Sequence, residues 1–308
     1  MPPTPRIPRG AGDRPRPGIW ILLGLILLAF AAIRLLPRSH PPRTLRPAAP
    51  PQLRVHPAAP ARTHRPAGRH TTPAAGPAAE RPAVAPRCAI IIDDVGNNEA
   101  VLREFLDLDL PLTFAVLPQL EFSKQAAQAA RDAGHTILLH LPMEPHEASK
   151  DRFMGPGALT TAMSDAEIEA QVLDDLDSLG SVAGINNHMG SKASADLRVM
   201  KAVMRVAKQR GLFFVDSVTT GKSVAGEAAR EIGVALGRRD VFLDTDVAGE
   251  EGIRARLTSL IAQAKARGSA IGIGHAHPLT AQVLRAMSGE FASQGVRLVS
   301  VADLVASE

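Results

Sequence analysis

Tyrosine is absent from the 308-residue chain, tryptophan and cysteine occur once each, and aromatic residues make up only 3 %. A single cysteine, Cys88, excludes an internal disulfide and is compatible with either redox compartment. So few rings leave few platforms on which a sugar could stack. Residues 1–87 lack lysine altogether and nearly lack acids: against fourteen arginines stand only Asp13 and Glu80, a net charge of +12. Residues 88–308 carry 21 basic and 29 acidic side chains, net −8, so the basic pI belongs to the first part alone. A basic, proline-rich arm is compatible with a nucleic-acid tail, but the apolar segment inside it argues against a nucleic-acid partner.

That segment runs from Gly18 to Leu36 and is broken only by Arg34. At 1.5 Å per residue it reaches about 28 Å, close to the hydrocarbon thickness of a bilayer. Trp20 suits one interface and Arg34 can snorkel to the other. With residues 1–17 as a basic tail, 18–36 reads as an uncleaved signal anchor; the alternative, a cleaved signal peptide, lacks an evident small-x-small site. Arginines flank both ends, so placing the C-terminal part outside the cytoplasm rests on the general behaviour of N-terminal anchors. Residues 37–87 hold about half of the 25 prolines and show no period. They read as a disordered Pro/Ala/Arg-rich linker. His40, His56, His64 and His70 lie in it without a common spacing and are not expected to form a metal site.

Residues 88–308 have the size of one domain. Strands are expected at 89–93, 112–117, 136–141, 182–186, 212–216, 240–244 and 270–274, with amphipathic helical stretches between them. Ser164 and Glu167 make a capping box, and Gly134, Gly180, Gly211, Gly268 and Gly295 each stand where a helix should end. Seven such units predict an α/β fold with a mostly parallel sheet, open or closed into a barrel. Residues 142–163 break the rhythm with three prolines and two glycines, and are expected to form a loop over the site.

The chemistry gathers at the ends of the expected strands: Asp93-Asp94, His140, His188, Asp216 and the pair His275/His277. Neighbouring carboxylates resist joint ionisation and call for a cation or a proton. One carboxylate and two imidazoles would hold a divalent first-row ion while leaving positions open for water and substrate. Asp216 could orient a histidine or cap the turn at Ser217. His277 could touch substrate or bond near Pro278. Asp240, Asp244 and Asp246 look like solvated acids at a strand end.

Together IIIDDVG, LTFAVLP, LLHLPMEP, INNHMGS, FFVDS and IGIGHAHP, in that order, resemble the divergent polysaccharide deacetylases, relatives of the NodB-like carbohydrate esterases. The resemblance implies a distorted (β/α) barrel of about seven strands and one metal ion, zinc foremost. Joined to the anchor read at 18–36, it implies a hydrolase that deacetylates an envelope or extracellular glycan by attack of metal-bound water. Asp93 falls at the general base, Asp94 at a metal ligand and His275 at the general acid. The relatives' His-x-x-x-His motif is altered, since Glu144 stands four places after His140; with Asp94 and His140, the third ligand is expected to be His188, ahead of Glu144. Their Arg-x-Pro-Tyr segment has no match. Two alternatives therefore stand beside the deacetylase: a non-catalytic metal- or glycan-binding envelope protein, and a metal hydrolase of a non-sugar amide or ester.

Overall fold

The computed structural model describes residues 85–147, 153–245 and 249–305. The anchor expected at 18–36 and the linker at 37–87, apart from its last residues, lie outside them. Among the described residues, no helix is long and apolar enough to cross a membrane.

Nine parallel strands form one sheet: β1 (Arg87–Val95), β2 (Thr113–Val116), β3 (Thr136–Met143), β4 (Gly184–Met189), β5 (Phe213–Asp216), β6 (Leu236–Arg238), β7 (Val241–Phe242), β8 (Ser269–His275) and β9 (Arg297–Leu298). Their order is β6-β5-β4-β3-β2-β1-β8-β7, with β9 added beside the start of β1. Helices α1 (Glu99–Leu106), α2 (Ser123–Asp132), α3 (Asp165–Leu179), α4 (Leu197–Arg210), α5 (Ala225–Ile232), α6 (Gly249–Arg267) and α7 (Pro278–Ser293) alternate with the strands, and α8 (Val301–Val305) ends the domain. Each of the seven expected strands has a counterpart. β6 and β9, of three and two residues, are too short to leave a pattern. The Ser164–Glu167 capping box forms at α3, and the five expected cap glycines all take positive φ.

The sheet curls, and alternation explains how. Ala89 and Ile91 of β1 meet Ala115, Leu138, Val215, Ile271 and Ile273 in an inner cluster, whereas Cys88, Ile90 and Ile92 face the helices. With both faces covered, β1 is apolar on both faces from Cys88 to Ile92. Val301, Leu304 and Val305 of α8 join the inner cluster, and the Val301 N–H donates to Thr113 at the start of β2. The amino-terminal end of the curled sheet is thus plugged by side chains. Polar side chains collect at the opposite end, beyond the carboxyl ends of the strands.

The 142–163 segment is partly strand. β3 continues through Pro142, past the last pairing with β2, Val116 to Leu139. The Pro142 carbonyl then accepts from Leu159 N–H and the Glu144 N–H donates to Leu159 carbonyl, so the returning chain takes up the edge that β2 leaves. A missing proline N–H costs no bond there.

Candidate metal centre

Adjacent residues on a flat strand point to opposite faces, so Asp93 and Asp94 could not share one site without a local break. β1 supplies it. Between Ile92 and Val95 it advances three residues while β2 advances two, a bulge, and Asp94 takes φ 61°. Asp93 stays buried beneath the mouth, and Asp94 swings over it. The other non-glycine residues with positive φ, Gln119, Met189 and Val218, also lie just beyond or at the carboxyl ends of strands, where strained backbone collects at functional sites.

Asp94 Oδ1 lies 3.2 Å from His140 Nε2 and 3.0 Å from His188 Nδ1, and the two nitrogens are 3.2 Å apart. A tetrahedral ion with bonds of about 2.0–2.1 Å spaces its ligands roughly 3.3 Å apart, so the triangle has the right size. The outer nitrogens decide the tautomers. His140 Nδ1 donates to Asn186 Oδ1 at 2.9 Å, and His188 Nε2 donates to the Phe153 carbonyl at 3.1 Å. Both rings thereby turn a lone pair inward. Asp94 Oδ1 is buried and accepts no hydrogen bond among the described residues. Three converging lone pairs with no proton among them suit a cation. The donor set fits a divalent ion held by Asp94, His140 and His188.

Without a cation, charge settles differently. Burial opposes ionisation of Asp94, but contacts with His140 and His188 outweigh it and hold the carboxyl well below its ordinary range. Burial likewise opposes an imidazolium at His140, yet the charges of Asp93 and Asp94 raise its pKa. A proton on His140 is what an arriving cation would displace.

Asn186, two residues before His188 on the same face of β4, is the cross-strand partner of His140. Its Nδ2 donates to Asp93 Oδ1 at 2.8 Å, linking a ligand to the buried acid. Burial pushes the Asp93 carboxyl up, and the charges of His140 and His275 only partly offset this.

Across β1, the register pairs Asp93 with His275 of β8. His275 Nδ1 donates to Asp244 Oδ1 at 2.8 Å, while Asp244 Oδ2 accepts from the His275 N–H at 2.7 Å and from Thr280 Oγ1 at 2.6 Å. Burial disfavours a charged His275, but the Asp244 hydrogen bond and charge, with Asp93 and Asp94 beyond, bring it to about 9. Phe242 stacks on His275 with ring centroids 5.4 Å apart, and the Arg239 guanidinium lies 4.1 Å from the Phe242 centroid.

Other candidates fall elsewhere. Glu144 is outside the triangle: its carboxylate takes Lys192 Nζ on one oxygen and both the N–H and hydroxyl of Thr161 on the other. It ties the returning chain to the turn after β4. Asp216 accepts from the Val218 N–H at 2.8 Å, capping its own turn. His277 is exposed and precedes α7, its ring 6.1 Å from that of His275. Asp244, expected to be solvated, is buried and orients His275 instead.

Asn186 could have been found by stepping back two residues from His188. Asp244 carried no such signal, because it matters only once β7 is known to lie beside β8. A hollow of about 460 Å³ lies between α6 and α7, away from all these groups.

A parallel sheet curled into a half-barrel and surrounded by helices, plugged at one end and bearing an imidazole–carboxylate cluster at the other, has the architecture of the NodB-like deacetylases. The chain belongs to the divergent polysaccharide deacetylase family, whose profile matches residues 90–305. It is 38 % identical over 206 residues to the uncharacterized protein YibQ of Escherichia coli, covering 67 % of this chain and 63 % of that one. The match thus spans less than two thirds of that relative's length. An uncharacterized protein of Haemophilus influenzae is 36 % identical over 200 residues, 65 % of this chain and 70 % of its own. The crystal structure of an uncharacterized protein from Agrobacterium tumefaciens C58 superposes with a TM-score of 0.68 at 27 % identity, over 73 % of this chain and 91 % of that one.

Proposed function

We propose that this protein is a metal-dependent hydrolase that removes an acyl group from an amide or ester of an envelope glycan. The observation that carries it is the inward convergence of Asp94 Oδ1, His140 Nε2 and His188 Nδ1, with both ring N–H groups directed away. A divalent ion there, zinc by the chemistry of the donors, would polarise the acyl carbonyl and lower the pKa of a water. Asp93, buried beside the cluster, would take the proton of the attacking water. His275, its Nδ1–H fixed on Asp244, keeps Nε2 to protonate the leaving nitrogen or oxygen. Arg239 and Phe242 brace that ring. Residues 18–36 would anchor the chain in the membrane and 37–87 would hold the domain of residues 88–308 away from it, on the periplasmic or extracellular side.

The test pairs metal analysis of the purified chain with acetate and longer-acid release from acylated glycans. Wild type should retain about one equivalent of metal and turn over; Asp93→Asn should keep the metal and lose most activity. The absence of tyrosine, and so of the Arg-x-Pro-Tyr segment, favours one other reading, a metal-bearing glycan binder. Metal retention and glycan binding with no acid released from any substrate would establish it.

A further inference from the structure

Beside the cluster lies a cavity of about 150 Å³. Leu117 and Leu120 beyond β2, Pro142 of β3, and Phe153 and Met154 of the returning chain line it, and Asn97 is its one polar side chain among the described residues. Each wall is tied to a residue of the triangle. The Leu117 N–H donates to the carbonyl of Val95, the neighbour of Asp94. Pro142 stands two residues past His140, on the same face of β3 and in register with His188. The Phe153 carbonyl holds His188 Nε2. The Phe153 ring, 58 % exposed, stands at the opening.

The strand order assigns the cavity a side. His275, which would serve the leaving group, is on β8, the neighbour of β1 away from β2. The cavity lies toward β2 and β3. A scissile bond whose carbonyl sits over the triangle, with its leaving atom toward His275, therefore directs its acyl substituent at Leu117 and Leu120. A methyl would leave most of that volume empty, whereas an apolar cavity of about this size admits a six-carbon ring. A sugar ring would leave hydroxyls without partners against leucine and proline walls.

We propose that this cavity is an acyl subsite, and that the group removed is an aliphatic acyl chain of about four to six carbons. The proposal rests on the hydrolase reading above. In the reaction the acyl C–N or C–O bond breaks, water supplies the new C–O bond, and its two protons pass to Asp93 and, through His275, to the leaving group.

Straight-chain alkanohydroxamates, which chelate metals through the head and carry the chain as a tail, test this by calorimetry on the zinc-loaded full chain in lipid nanodiscs. Kd should fall about fourfold per added methylene from acetohydroxamate to hexanohydroxamate, then level off. Leu120→Phe and, independently, Met154→Phe should flatten that series while leaving zinc content and acetohydroxamate affinity unchanged. On the zinc-free chain, 1-pentanol should shift the Met154 methyl resonance and methanol should not. A flat wild-type series, or a slope that survives both filling substitutions, would overturn the subsite alone. Failure to retain zinc would instead strike the hydrolase reading, and the pentanol titration would still decide whether the cavity takes an aliphatic chain.

Discussion

Two histidine–aspartate groups flank β1, built from the same residue types and organised in opposite ways. On the β3–β4 side, His140 and His188 send their N–H groups outward to Asn186 and Phe153, and Asp94 Oδ1 accepts no hydrogen bond among the described residues. On the β8 side, His275 sends its N–H into Asp244, whose two oxygens accept three hydrogen bonds. The first arrangement turns three lone pairs toward one point, as a cation requires; the second backs its imidazole with a carboxylate. His140 and His275 both spend Nδ1–H on a second partner, a neutral amide in one case and a carboxylate in the other, and the carboxylate is what favours an imidazolium at His275.

The largest expected effect breaks the chelating side. Asp94→Ala and His188→Ala should each weaken zinc binding by about 10³-fold or more, since two remaining ligands seldom hold the ion; competition with a chromogenic chelator reads this. Asp93→Asn tests whether Asp93 belongs with the proton-handling side. Metal content should hold while turnover falls about 10²–10⁴-fold, and loss of metal would move Asp93 to the other group. Asn186→Ala, which frees the His140 ring, should cost about 10–100-fold in metal affinity.

The β8 side answers to pH. His275 is held near 9, above its unfolded value of about 6.5, so its stabilisation is present below pH 6.5 and lost as pH rises through 9. Asp244→Asn should therefore destabilise the domain by about 2 kcal/mol at pH 6 and much less above pH 10, as read by chemical denaturation at each pH. The same substitution should leave metal binding intact. Smallest of all, Glu144→Gln should change zinc affinity by less than about threefold, for its carboxylate serves Lys192 and Thr161. A larger loss would put Glu144 back beside His140 as a ligand.

The run Ala89–Ile92 announced a strand because burial on both faces demands uninterrupted apolar residues, and the cap glycines and the Ser164–Glu167 box marked helix ends through local backbone rules. His140 and His188 were visible as imidazoles at or just past the ends of expected strands. Asn186 was partly visible, by its spacing. Asp244 looked like any acid after a strand, and Glu144, four residues from His140, stood only second to His188 as a ligand.

Sequence by itself determined the alternation of strand and helix, and it determined that carboxylates and imidazoles would gather at the carboxyl ends of a parallel sheet. These follow from periodicity and handedness, which act over a few residues. Tertiary structure alone decided which acid meets which ring. The bulge that turns Asp94 beside Asp93 is set where β1 pairs with β2, the β4 register sets Asn186 against His140, and the pairing of β7 with β8 brings Asp244 to His275, each through strands far apart in the chain. Their separation is closed by sheet pairing rather than by any local preference, so no spacing in the sequence records it.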